Sequence, residues 1–330
     1  RPSHMESEEI IAWTRAIVLF GALSIAAWLD HKDRRVPNEF WITWSKPAIF
    51  LWTLDLLNQE AEWYIFASAA AVVAYASIAV IGRPSFADIK NGNKLDIVVS
   101  VWYLIGMIGI VKGISVHHSD DLIGILNGEG ELQAALWWST VSVFIPIALI
   151  DFAWRARLIH GGADCKGLMW VSLLVPTWSG FPILFSQYMD ETIIAMPPAI
   201  ALLVWGGFAF LILPFIMMIK NLKNGQKNIK LIWHAERMDV NIVLDSHVWL
   251  LTSIVEMPSG EKKIVHKTRA PTKTPSREKL QQDISELIEN GVEEVWITKK
   301  YPLLLFLWPA TIPMLMIGGP MAFIWPMLGL

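Results

Sequence analysis

Two aspartates raise the first chemical question. Asp30 closes an apolar run and is followed by His31-Lys32-Asp33-Arg34-Arg35, and Asp164 opens another apolar run after His160-Gly161-Gly162-Ala163. A carboxylate at membrane depth is expensive, so an acid facing the interior of a helix bundle is a functional hypothesis by default. Two carboxyls held together cannot both ionise cheaply, and they share a proton. The ionised one then acts as general base on a bound water, and the protonated one donates to a carbonyl under attack. Neither role needs a metal or a cofactor. The competing reading is local: acids are common at helix ends, and Asp164 can cap its own helix by accepting backbone N–H bonds.

Other polar groups are weaker candidates. Ala87-Asp88-Ile89-Lys90 echoes Ala163-Asp164-Cys165-Lys166, which makes Asp88 the rival for the second acid, but it lacks a glycine pair and precedes Asn91-Gly92-Asn93, the composition of a solvated loop. His117-His118-Ser119-Asp120-Asp121 offers ligand-competent side chains, yet adjacent residues rarely converge on one ion, and no metal is expected. Arg15 should snorkel or face a bundle interior. Asp33 and Asp151 read as partners for nearby basic groups. Lys166 is placed either to bias the charge of Asp164 or to contact a backbone carbonyl.

The elements that must position these groups are membrane helices. Of 330 residues, 54% are hydrophobic and only 17% charged, with 18 tryptophans and a mean hydropathy of +0.44; soluble domains are less apolar, and tryptophan is enriched where spans meet headgroups. The net charge of −3 gives no argument for nucleic acid. A single cysteine, Cys165, excludes a disulfide framework, a zinc ribbon and a Cys-x-x-Cys pair. Arg1-Pro2-Ser3-His4 before Met5 resembles an expression scar and is left out of the reading. About 20 apolar residues cross about 30 Å of hydrocarbon, and eight segments qualify: 10–29, 39–57, 63–82, 96–116, 134–154, 164–180, 192–219 and 302–328. The second is interrupted by Lys46-Pro47 and Asp55, and the sixth is short.

Basic residues orient the chain. Lys32, Arg34 and Arg35 follow the first segment; Arg83, Lys90 and Lys94 the third; Arg155 and Arg157 the fifth; Lys220, Lys223, Lys227 and Lys230 the seventh. The alternate loops carry Glu60 and Glu62, then Asp120, Asp121, Glu129 and Glu131, then Asp190 and Glu191. Eight spans with both termini outside satisfy every loop. They place Asp30 and Asp164 on the same side at the same depth. The expected organisation is a seven-span membrane domain over 5–219, a cytoplasmic α/β domain over 220–300 and a last transmembrane helix over 301–330. Within the polar domain, Val248–Glu256 and Val292–Thr298 read as strands. Ser276 followed by Lys279, Leu280, Ile284, Leu287 and Ile288 reads as an amphipathic helix ended by Asn290-Gly291, and Lys267–Pro275 reads as a basic linker.

Local motifs sharpen the reading of the acids. The stretch from Asp30 through Val36-Pro37-Asn38 to Phe40-Trp41-Ile42 resembles the first active-site stretch of the type IV prepilin peptidases, an acid followed by basic residues, Val/Ile-Pro-Asn and a new span. Gly161-Gly162-Ala163-Asp164-Cys165-Lys166 resembles that family's Gly-x-Gly-Asp stretch with its following Lys, and Gly291–Thr298 leading through Tyr301-Pro302 into a last span looks like the archaeal preflagellin peptidase branch. The resemblance covers about two thirds of the chain. It implies an all-α polytopic membrane protein of the Gly-x-Gly-Asp aspartic protease type, with Asp30 and Asp164 catalytic and Gly161, Gly162, Lys166, Pro37 and Asn38 supporting them. It further implies no cofactor and no metal. The implied substrate is a preflagellin or prepilin precursor whose short basic leader precedes a hydrophobic helix and is removed at the cytoplasmic membrane face, with membrane lipid the other partner. Ala163 departs from the family pattern in place of the second glycine. Eight spans also exceed the family's six-helix core by a pair, expected between residues 60 and 154. One cysteine cannot build the cysteine-rich domain of the bacterial branch.

Two other classes compete. A presenilin-like or signal-peptide-peptidase-like protease would add a Pro-Ala-Leu stretch, to which Pro198-Ala199-Ile200 is a near match, but the topology puts it at the outer end of the seventh span, remote from both acids. A transporter using buried acids for ion binding would favour Gly/Pro-broken helices in related halves, and no such pairing is evident.

Overall fold

The computed structural model describes residues 2–126, 129–159, 161–185, 196–258, 260–271 and 275–321. The element order is α1 (Pro2–Asp33), α2 (Asn38–Asn58), α3 (Trp63–Ile81), α4 (Phe86–Lys90), α5 (Lys94–His117), α6 (Leu122–Leu126), α7 (Leu132–Ser142), α8 (Phe144–Arg155), α9 (Gly162–Leu174) and α10 (Pro198–Lys223). There follow β1 (Glu236–Asp239), β2 (Val248–Leu250), β3 (Thr252–Glu256), β4 (Lys262–His266), α11 (Arg277–Glu289), β5 (Glu294–Lys299) and α12 (Leu304–Ile317). Two compact units result: residues 1–207 with 302–330, and residues 208–301. The second unit therefore begins within α10, ahead of the expected boundary at residue 220.

A helix stands in each of the eight apolar segments, but among the described residues only five stretches are long and apolar enough to cross a membrane: Ser7–Asp33, Trp63–Ile81, Lys94–His117, Leu132–Arg155 and Pro198–Lys223. The fourth combines α7 and α8. α2 has the length, at 21 residues, yet carries Glu39, Lys46 and Asp55 and contains Pro47. α9 has 13 residues, about 20 Å at 1.5 Å per residue, and α12 has 14. Residues 186–195 and 322–330, on which parts of the seventh and eighth segments and the acidic loop at Asp190 and Glu191 fall, lie outside the described residues.

In the first unit, Leu19, Leu23, Trp41, Tyr64, Ile65, Leu168, Leu174 and Leu307 belong to one continuous buried cluster. α3 and α5 approach closely because the facing residues are small: a Cβ at Gly109 would fall 2.7 Å from the Ala67 carbonyl carbon, and one at Gly106 would fall 2.8 Å from Ala71 Cα. Small residues let membrane helices touch backbone to backbone. The interior of this unit also holds a charge. Arg15, fully buried, donates to Asp55 Oδ2 at 3.0 Å, to the Gly180 carbonyl at 3.0 Å and to the Leu51 carbonyl at 3.4 Å. The acid that weakens the apolar pattern of α2 is thus the partner of the arginine in α1.

In the second unit, β1 and β2 flank β5 in an antiparallel three-stranded sheet, and β3 and β4 form a separate antiparallel pair. α11 buries Ile284 and Leu287 against Val295 and Ile297. Ser276 Oγ caps it by accepting from Lys279 N at 3.2 Å, and Gly291, at φ +73°, supplies the left-handed residue beyond its end. The single strand expected over Val248–Glu256 is interrupted at Leu251, which is fully buried. Its N–H bonds the Trp296 carbonyl and its own carbonyl accepts from Lys267 N, so the chain leaves one sheet and enters the other. Two strands lacked a sequence signal: β4 is exposed throughout, and β1 is only four residues long.

Candidate functional site

The first acid is placed by the end of α1. Arg34 adopts φ +54°, a left-handed conformation uncommon for a side-chain-bearing residue, and its N–H bonds the Asp30 carbonyl at 3.1 Å, which turns the chain out of the helix. Val36 is buried. Pro37, extended at φ −60° and ψ 150°, is the N-cap of α2, a residue whose ring cannot continue the preceding helix. Asn38 then ties three elements together. Its Nδ2 donates to the Val80 carbonyl at the end of α3 at 3.1 Å, and its Oδ1 accepts from Lys166 Nζ of α9 at 2.8 Å. Lys166 therefore contacts a side-chain amide, neither of the two partners considered for it from sequence.

The second acid sits in the first turn of α9. Asp30 is 8% exposed and Asp164 7%, and the helices that carry them, α1 and α9, pack together. Asp164 Oδ1 accepts the Leu304 N–H at 3.1 Å, so Asp164 serves the first turn of α12. Its Oδ2 lies over Gly161, where a Cβ would collide with it. A side chain at this position would displace the Asp164 carboxyl, although its φ of −86° is open to any residue. Gly162 is freer, with Trp154 3.5 Å from a Cβ built there. Ala163 lies within α9, where the backbone is helical, so the conformational freedom of the glycine it replaces would not be used. Gly167 allows Trp41 and Leu304 to close on the helix, each 3.1 Å from a Cβ placed there.

A cleft of about 250 Å³ opens between α2, α3, α5 and α9, lined by Trp41, Ser45, Val80, Trp102, Lys166 and Trp170 among others, with neither acid in its lining. It is largely apolar, with Lys166 joining it to the site.

The remaining candidates are exposed or make structural contacts. Asp88 is exposed on α4 and Asp33 is exposed at the end of α1. Asp151 pairs with Arg155 at 2.7 Å. His117 is buried, with Nδ1 2.7 Å from Asp120 Oδ2 and Nε2 2.8 Å from Tyr64 Oη, and it stacks on Trp137. Among the described residues no three His, Cys, Asp or Glu groups converge as a metal site. Pro198-Ala199-Ile200 forms the first turn of α10. The bond from Asp164 to Leu304 had no sequence signal, since its partners are 140 residues apart.

No protein-family model matches the chain, and no curated protein matches it.

Proposed function

We propose that the chain is a membrane-embedded aspartic endopeptidase in which Asp30 and Asp164 form the working pair. The observation that carries this reading is that two buried carboxyls stand on helices that are far apart in sequence and pack together. Two acids brought together by such packing share one proton and can activate water while protonating a carbonyl. The N–H of Leu304 holds Asp164 Oδ1, which leaves Oδ2 as the atom for proton exchange with Asp30 or water. The basic run His31–Arg35 beside Asp30 and the pattern of basic loops support eight spans, with both acids on the cytoplasmic side and residues 220–300 on that side too.

The substrate proposed from the motif resemblance is a preflagellin-like or prepilin-like precursor, cut between its short basic leader and its hydrophobic helix. Such a substrate arrives with its helix in the bilayer and its peptide bond at the interface, the depth expected of Asp30 and Asp164 at the cytoplasmic ends of the first and sixth segments. The test is incubation of the detergent-solubilised protein with synthetic precursors. A shortened product is expected from the unaltered protein and none from Asp30→Asn or Asp164→Asn. Cleavage by both variants would overturn the reading, and the absence of cleavage from any precursor in the panel, together with proton or cation flux in liposomes, would favour transport.

A further inference from the structure

The turn that follows α10 folds back along that helix. Asn221, buried near the end of α10, donates through Nδ2 to the carbonyls of Ile232 at 2.9 Å and Ala235 at 2.7 Å. Trp233 meets Phe215 edge to face, with ring centroids 6.0 Å apart. Phe215 lies five residues before Lys220, about 7.5 Å further into the helix at 1.5 Å per residue. The turn is thereby held at the level of the end of an apolar stretch long enough to cross a membrane. Its side chains divide: Leu231 and Ile232 are buried, whereas Ile229 is 75% exposed and Trp233 38%. Lys223, Lys227 and Lys230 are exposed in the same segment and make no ion pair among the described residues, and no acid occurs between Met196 and Ala235.

We propose that the segment 223–233 is a binding surface for anionic phospholipid, with Ile229 and Trp233 entering the headgroup layer and the three lysines contacting lipid phosphates. Two features select this partner. An exposed isoleucine and tryptophan interleaved with lysines match a surface that is apolar below and anionic above. The contact of Trp233 with the side of α10 sets their depth at the interface, away from open water. The proposal stands apart from the catalytic reading, because it uses neither acid.

The test uses the full-length protein in nanodiscs. In a Cys165→Ser background, Ile229→Cys is labelled with a fluorophore, and quenching is compared between phosphatidylglycerol and phosphatidylcholine carrying the same nitroxide near the headgroup. Stronger quenching by the phosphatidylglycerol probe is expected. A lysine near a charged surface is worth about 1 kcal/mol, or about fivefold, so each change of Lys223, Lys227 or Lys230 to Gln should lower the preference about fivefold, and the matching change to Arg should restore it. Equal quenching by the two lipids overturns the charge selectivity. A label reached by aqueous iodide and by neither lipid probe overturns the interfacial placement. Relief of the phosphatidylglycerol effect by inorganic phosphate at constant ionic strength would assign the lysines to free phosphate and overturn the lipid assignment.

Discussion

A methyl group at position 161 is the most discriminating perturbation of the proposed site. In Gly161→Ala the backbone needs no adjustment, since φ −86° and ψ 118° suit alanine. The new Cβ, however, would occupy the place of Asp164 Oδ2, and the carboxyl must rotate away. That motion strains or breaks the bond from the Leu304 N–H to Oδ1. A hydrogen bond to a charged group is worth about 1.5–3 kcal/mol, so a modest loss of thermal stability is expected. The larger effect should fall on turnover, because misplacing a reacting group by about 1 Å can cost about a hundredfold, or about 2.7 kcal/mol of barrier. Gly162→Ala is the control: its Cβ would make ordinary contact with Trp154 at 3.5 Å, and activity should stay within about threefold, less than 1 kcal/mol. The assay is initial-rate cleavage of a synthetic precursor, with size-exclusion profile and melting temperature recorded for each variant. Wild-type turnover by folded Gly161→Ala would show that the Asp164 conformer described here is not the working one.

Other changes probe different parts of the same account. Asp30→Asn and Asp164→Asn should each abolish cleavage, with the double variant hardly worse because the pair acts as a unit, whereas Asp88→Asn should stay active; loss of activity in folded Asp88→Asn with Asp164→Asn intact would reassign the second acid. Arg15→Met leaves Asp55 without its ion-pair partner and should destabilise the fold by about 3 kcal/mol, part of it recovered in Arg15→Met/Asp55→Leu; equal melting temperatures for the single and double variants would refute the coupling. In the second unit, burial works against ionisation of Glu236, but hydrogen bonds from Lys220 and Lys299 outweigh it and hold its carboxyl below the usual carboxylate range. A depressed folded pKa contributes stability above the unfolded value of about 4.3 that is lost as pH falls through the folded one. The melting temperature of the wild type should therefore decline more steeply than that of Glu236→Gln below about pH 4, and parallel curves would rule the contribution out.

Helical segments were legible because membrane spans announce themselves by length and apolar content, and α1, α3, α5 and α10 lie where hydropathy puts them. α2 was harder for a definite reason. Asp55 and Lys46 break its apolar pattern, and the compensation for Asp55 comes from Arg15, 40 positions earlier, a pairing that only the packed bundle defines. That Asp30 lies at the end of one helix and Asp164 at the start of another was legible from the sequence, but the links that locate them were not. Asn38 joining Val80 to Lys166, and Asp164 joining Leu304, are contacts between distant stretches with no periodicity of their own. In the second unit α11 carried both cap and stripe and was read from them, whereas β4 is exposed on every residue and lacks the alternation that marks a half-buried strand.

The buried arginine also bears on how the chain is assembled. A guanidinium at the centre of a lone helix costs about 2.5–3.5 kcal/mol to insert; Arg15, about a third of the way along Ser7–Asp33, incurs part of that cost, and α1 is made before the elements that satisfy it. Its three acceptors arrive later: Leu51 and Asp55 with α2, and Gly180 only after α9. Until then α1 is an incompletely satisfied helix, best kept beside the insertion machinery or against its early neighbours. Release into lipid should thus be gated by the arrival of partners, so a chain truncated before residue 180 should retain α1 less stably in the bilayer than one extending past it.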